Sequence, residues 1–223
     1  LLQQQESTAT RERQITEIIS LMRESLDEER IFRAAVTETR RALQADRVSV
    51  YQFDETWRGT FVAESVGQGW PAALEDKVYD PCFKEKYIEQ YRQGRVQAVS
   101  NLAESGLTEC HLHQLEQYKV KANLVAPIVI NDELFGLLIA HQCSGPRNWE
   151  AMEINFVRQV AIQLGFALNQ VKLLKQQELT AARERQINEI VSRLRESLDE
   201  DRIYRAAVTE TRRVLNSDRV VVY

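Results

Sequence analysis

The sequence predicts a mixed α/β (α+β) domain flanked by long N- and C-terminal helices. Three observations carry that expectation. Residues 1–44 hold neither Pro nor Gly and are rich in Glu, Arg, Gln and Leu, a helical composition. Val48-Ser49-Val50-Tyr51-Gln52-Phe53 alternates in the period of a strand, and further strand-like runs follow it. From Asn148 to Leu215 there is again no proline, and the one glycine is Gly165.

In chain order, Asp27 is placed to cap a new helix at Glu28, so a break near 27 is expected. Gly59 to Ser65 reads as a second strand. Asn123–Ile130 and Leu134–Gln142 flank Asn131-Asp132-Glu133, which reads as a hairpin turn. Pro127 makes the first arm an edge or bulged strand, and the Leu-rich second arm a central one. Between the early and late strands lies an excursion, 67–121, expected to carry short helices. Connections that long inside a compact domain are often functional. Unbroken, 148–215 would extend roughly 100 Å at about 1.5 Å per residue. Val157, Val160, Leu164, Leu168, Val171 and Leu174 form an apolar stripe at three- and four-residue steps. A parallel helical homodimer fits that stripe. Two helices with a break near 199–200, each packed on its own domain, fit it as well.

The chain repeats itself. Residues 1–51 match 173–223 at an offset of 172, with 38 of 51 positions identical. Arg-Glu-Ser-Leu-Asp-Glu at 23–28 recurs at 195–200, and Ala-Ala-Val-Thr-Glu-Thr-Arg-Arg at 34–41 recurs at 206–213. The second copy reads as the opening helices and first strand of another domain in a tandem array. The expected divisions are a linker helix at 1–22, a domain at 23–172, a second linker helix at 173–199, and a domain start at 200–223.

Composition removes several function classes. A net charge of −4 does not suit a protein built to hold nucleic acid. No apolar run approaches the roughly 18 residues of a membrane span, and no signal peptide is visible. Three cysteines in 223 residues do not make a secreted disulfide scaffold. A cytoplasmic domain is expected, whether or not the parent protein is membrane-anchored, with no membrane contact within this fragment.

Two cysteines stand where a thiol becomes a better nucleophile. In Asp80-Pro81-Cys82-Phe83, Asp80 would cap a short helix and Pro81 open it, with Cys82 in the first turn. In Thr108-Glu109-Cys110-His111, Thr108 would cap, and Leu112, Leu115 and Tyr118 continue at helical spacing. Free amides and the helix dipole stabilise a thiolate there, while Asp80 and Glu109 oppose it. Taken singly, a cysteine is more often a small buried apolar residue. Cys143 fits that description.

The Asp80-Pro81-Cys82-Phe83 stretch resembles the Asp-Xaa-Cys-Phe motif of one class of cyanobacteriochromes. Cys110-His111 resembles the bilin-attachment pair that these photoreceptors share with many phytochromes. The likeness extends over roughly 20–170 and includes Val62-Ala63-Glu64-Ser65, Tyr91-Arg92-Gln93-Gly94-Arg95 and Leu134 to Gln142. It implies a GAF domain with a central antiparallel sheet, and a linear tetrapyrrole as cofactor, phycocyanobilin or phycoviolobilin. It implies a permanent thioether at Cys110 and a second, reversible, light-controlled one at Cys82. A blue-absorbing dark state would convert to a longer-wavelength photoproduct. It also implies that His111 lies against the pyrrole rings, Asp80 near their N–H groups, His141 near ring D and Arg95 at a propionate. Tyr118 and Trp70 would be chromophore walls. The domain would not be an enzyme and would signal through its flanking helices.

Other readings compete. Without the resemblance, His141 is as readily a satisfied core histidine, Arg95 a solvated charge, and Tyr118 and Trp70 simple core. A zinc site from Cys82, Cys110, His111 and His113 lacks the usual ligand spacings. A thiol redox sensor rests on adjacency alone. A cyclic-nucleotide or other small-ligand GAF sensor would lack a glycine-rich phosphate loop.

Overall fold

A computed structural model describes residues 2–78, 87–197 and 200–221. Two compact units divide at Lys172/Leu173. In the first, helix α1 (Leu2–Arg23) breaks before α2 (Glu28–Leu43). The break is capped as the sequence foretold. Asp27 sits in extended backbone and accepts from the Glu29 amide at 2.9 Å, a cap that contributes about 1 kcal/mol. At its far end α2 stops because Gln44 turns left-handed, φ 52°.

The strands are β1 (Arg47–Phe53), β2 (Gly59–Val66), β3 (Lys77–Val78), β4 (Gln97–Val99), β5 (Ala122–Ile130) and β6 (Glu133–Gln142). They form one antiparallel sheet in the order β3-β2-β1-β6-β5-β4. The β5–β6 turn is two residues, not three, since Ile130 already pairs with Glu133. Asn131 and Asp132 both have positive φ, 51° and 63°, the requirement of the hairpin turn that matches strand twist. β6 is central, as expected. β5 is second from the edge rather than at it. Its partner β4 reaches only Asn123–Val125, while Pro127 pairs with Leu137 of β6 alone. A register shift follows between Ile128 and Val129.

Alternation gives the sheet two different faces. Val48, Val50, Leu124, Ala126, Leu138 and Ala140 point to the helical side. There they meet Ile18 and Met22 of α1, Ile31 and Val36 of α2, and Phe156, Val160 and Leu164 of α5 (Ala151–Ser197). Gly165 lets α5 approach closely: a Cβ there would stand 2.5 Å from the Val129 carbonyl oxygen. Arg47, Tyr51, Asn123, Val125, Leu137, Ile139 and His141 share the opposite face, covered by the excursion 67–121. Besides β3 and β4, the excursion carries α3 (Ile88–Arg92), a short 3-10 turn (Leu102–Glu104) and α4 (Glu109–Gln117).

The second unit contains the last part of α5 and then α6 (Glu200–Val214). The break expected near 199–200 adjoins residues 198–199, outside the described residues. Asn216 has φ 48°, one repeat away from Gln44. The α2 side chains Ile31 and Phe32 are buried, while their repeat counterparts Ile203 and Tyr204 are about half exposed.

Candidate functional site

The face of the sheet under the excursion holds a cavity. It opens in part to solvent. Tyr51, Val125, Leu137, Ile139, Asn123 and His141 form its floor. Phe53, Trp57, Phe61, Tyr87, Tyr91, Leu107, Leu115 and Tyr118 make apolar and aromatic walls, and Gln97, Thr108, His111 and Gln114 add polar atoms. The walls hold one another: Tyr51 lies 5.1 Å from Phe61, and Phe61 meets Tyr118 edge-on at 5.6 Å. Such a lining suits a large, mostly apolar ligand with a few fixed polar contacts. Among the described lining residues there is no Lys or Arg.

Cys110 stands beside this cavity. It occupies the first turn of α4 and is exposed. Its neighbours Thr108 and His111 both line the cavity. Thr108 takes the expected capping position in extended backbone, yet its side chain makes no cap to the helix. Its hydroxyl instead lies 3.4 Å from the Cys110 sulfur. Leu115, one helical turn on from His111, is buried beneath, so α4 is anchored with its thiol outward. His113 is exposed and points elsewhere.

At the other end of the floor lies a polar cluster that sequence reasoning did not find. Arg47 is wholly buried and pairs with buried Glu64 at 2.8 Å. It also donates to the carbonyls of Tyr118, at 3.2 Å, and Pro71. Glu64 in turn accepts from the Ala73 and Leu74 amides, tying the start of the excursion to the sheet. One signal was present: Asp46-Arg47-Val48 recurs as Asp218-Arg219-Val220 in the second copy. Asp46 receives the amides of Cys143 and Ser144 at 2.7 and 2.8 Å. Burial raises its pKa, but these bonds and the Trp70 and Ser144 side chains outweigh that, and the carboxyl is held below its ordinary value.

His141 is the cross-strand partner of Arg47, and its Nδ1 lies 3.5 Å from the guanidinium. Burial first, then the Arg47 charge and His111, push its pKa down to about 3, so the ring is neutral. A guanidinium only donates, so Nδ1 must accept and the proton resides on Nε2. Nε2 is buried and has no hydrogen-bond partner among the described residues. The floor therefore presents an unused N–H. Cys143 is buried and its pKa is pushed up to about 11 by burial, which makes it an unreactive thiol at neutral pH.

Among the residues singled out from sequence, His111, Tyr118 and His141 line the cavity, and Cys110 adjoins it. The Tyr118 hydroxyl donates to Asp76 at 2.9 Å, and burial leads in raising its pKa to about 12. Arg95 is not in the lining. It lies over the rings of Tyr87 and Tyr91, at 5.4 and 5.9 Å, and donates to Gln90. Trp70 is not in the lining either, its side chain being bonded to Asp46. Asp80 and Cys82 lie outside the described residues. Among the described residues no group of three His, Cys, Asp or Glu side chains would hold a metal, and no helix is long and apolar enough to cross a membrane.

Comparison with known proteins fits this geometry. The profile of the GAF domain family matches residues 27–168. A putative methyl-accepting chemotaxis protein of Synechocystis sp. is 46% identical over 189 residues, 85% of this chain. The chain spans only 19% of that relative's length. The blue-light absorbing form of the Thermosynechococcus elongatus PixJ GAF domain is 49% identical, with a TM-score of 0.67 over 69% of this chain and 92% of that one. PixJ is a cyanobacteriochrome. A far-red absorbing dark state with bound biliverdin IXα is 31% identical, with a TM-score of 0.66 over 71% of this chain and 99% of that one.

Proposed function

The chain belongs to the GAF domain family, and on that premise we propose that it is a photosensory domain holding a linear tetrapyrrole in the cavity under the excursion. The single observation that carries this reading is Cys110: an exposed first-turn thiol between two residues that line an aromatic cavity. The pairing of a reactive position with an apolar cavity suits covalent capture of a large conjugated ligand. The absence of Lys or Arg among the described lining residues disfavours a nucleotide phosphate.

The donor set fits such a group. The partnerless Nε2–H of His141 suits a ring carbonyl, the one polar acceptor that a buried neutral donor lacks. Cys110 would hold the cofactor by a thioether, its thiolate favoured by the first-turn amides. His111 would lie against the pyrrole rings, and Tyr118 would close one wall. Cys82 would hold the cofactor a second time, reversibly. Val78 and Tyr87, which bound residues 79–86, both line the cavity. Asp80 would accept pyrrole N–H bonds, and Arg95 would pair with a propionate. Trp70, away from the lining, would act only by way of Asp46. When bound, the tetrapyrrole supplies the light-driven isomerisation of a double bond; the chain supplies attachment, orientation and electrostatics.

Phycocyanobilin and phycoviolobilin both remain proposed cofactors. The domain proper is assigned to 23–172, with linker helices at 1–22 and 173–199 and a second GAF start at 200–223. The exposed apolar face of α6 supports that last assignment. The output is proposed to run through the flanking helices of a cytoplasmic homodimer. The domain itself is proposed to be non-enzymatic.

The test is co-expression with a bilin-producing pathway. The purified protein should absorb in the blue, shift to longer wavelength on blue illumination, and return. Cys82→Ala should lose the blue-absorbing state while keeping covalent colour. A colourless protein, or a blue state that survives Cys82→Ala, would contradict the corresponding half of the proposal.

A further inference from the structure

We propose that the exposed apolar face of the second repeat fits a second copy of this chain, where it takes the place of α1 and α2 on the sheet of that molecule's first unit. The exchange depends on the repeat and not on what the cavity holds.

In the first unit Ile18, Ile31, Val36 and Leu43 bury the helices in one apolar cluster with Val48 and Leu138 of the sheet. The offset of 172 turns these four into Ile190, Ile203, Val208 and Leu215, with every side chain kept. Ile31 and Leu43 are 0% and 1% exposed, whereas Ile203 and Leu215 are 49% and 65% exposed. Ile190 is exposed as well. A contiguous apolar face left open on helices marks an interaction surface. The first unit shows what that face fits, because the same side chains are covered there. Local form is repeated too. α2 and α6 are each followed by a left-handed residue, Gln44 at φ 52° and Asn216 at φ 48°. The pair Glu38–Arg41 at 2.8 Å recurs as Glu210–Arg213 at 3.0 Å. Arg40, which donates to Ser65 of β2 at 2.8 Å, recurs as Arg212. Phe32 becomes Tyr204, which keeps the ring that stacks on Phe135 at 6.4 Å. Met22 becomes Leu194, a swap of similar volume.

Exchange within one chain would break α5. α1 lies alongside α5, since Ile19 and Met22 share a groove with Gln163, Phe166 and Ala167. The repeat of α1 is the continuation of α5 itself, one helix from Ala151 to Ser197. To lie in that groove it would have to interrupt the helix and double back on it. A second molecule meets no such obstacle. Each hairpin taken up releases one of nearly identical sequence, so the apolar area covered stays the same. Association is then set by concentration and by how well each copy fits, and weakening the first copy favours the second. Two chains exchanging reciprocally close as a two-fold dimer.

Rescue in trans tests this on the full chain. The probe is the quadruple variant Ile31→Asp, Val36→Asp, Ile203→Asp and Val208→Asp, with 15N-labelled tryptophan. Trp57, Trp70 and Trp149 all report on the first unit. Carboxylates at buried Ile31 and Val36 should leave that unit unfolded, with the indole signals collapsed together. An excess of unlabelled parent chain should restore their native dispersion and saturate. The parent carrying Ile203→Asp and Val208→Asp should not restore it. Should the quadruple variant precipitate, the chain with only Ile31→Asp and Val36→Asp takes its place. Its urea midpoint should rise with protein concentration more steeply than that of the chain with only Ile203→Asp and Val208→Asp. Signals that stay collapsed under excess parent, equal rescue by the Ile203→Asp/Val208→Asp chain, or equal concentration dependence of the two double variants would overturn the exchange. A quadruple variant that folds alone would overturn it as well, because the Ile31 and Val36 face would then be dispensable to the sheet.

Discussion

The buried pair Arg47–Glu64 makes a quantitative demand on stability. Glu64→Leu removes the carboxylate 2.8 Å from a guanidinium that is 0% exposed. The charge then has no counter-ion, and the Ala73 and Leu74 amides lose their acceptor. Breaking a buried pair from one side costs about 3–5 kcal/mol. With a urea dependence of about 2–3 kcal/mol per molar, the midpoint should fall by about 1–2.5 M. Trp57, Trp70 and Trp149 all lie in the first unit, so tryptophan fluorescence follows its unfolding alone. The double variant Arg47→Met/Glu64→Leu buries no charge and should regain at least half of the loss. A Glu64→Leu midpoint within about 0.3 M of the parent, or a double variant as unstable as the two singles combined, would refute the reasoning.

Three further outcomes are expected. The folded His141 pKa of about 3 lies below the ordinary 6.5, so stability is full above pH 6.5 and drains as pH falls from 6.5 toward 3. One proton limits the slope to about 1.4 kcal/mol per pH unit, and His141→Asn should flatten it in urea titrations between pH 6.5 and 4.5; identical slopes would mean that the ring is not held neutral. Iodoacetamide at pH 8 should alkylate exposed Cys110 within minutes and spare Cys143 until urea is added, read by peptide mass spectrometry; early labelling of Cys143 would contradict its burial. Gly165→Ala should destabilise by about 1–3 kcal/mol although alanine favours helices, because the Val129 carbonyl occupies the space; a stabilised variant in thermal melts would show that α5 shifts freely.

The strands facing the helical core were legible in the sequence because Val48, Val50, Leu138 and Ala140 obey a period of two against a continuous apolar layer. The helix break was legible from one capping side chain, Asp27. The excursion was legible only as an excursion. β3 and β4 are two and three residues long, too short for any period, and they exist because the sheet offers edges. The polar floor was harder still. Arg47 opens a strand, where a charge ordinarily reaches water; its burial depends on Glu64, 17 residues away, and on carbonyls of Pro71 and Tyr118. Asn123 is the second residue of an apolar strand, and nothing local marks it as pocket-facing until β6 supplies His141 beside it. Arg95 and Trp70 were placed by resemblance. Arg95 lies over the rings of Tyr87 and Tyr91, and Trp70 turns to Asp46.

The central claim is that Cys110 anchors a tetrapyrrole in this cavity. The most direct measurement is peptide mapping of the coloured protein after denaturation and trypsin digestion. The mass of one bilin should be carried by the peptide containing Cys110, and Cys110→Ala should yield protein whose colour is lost on denaturation. A bilin mass on the Cys143 peptide, or acid-stable colour in Cys110→Ala, would contradict it.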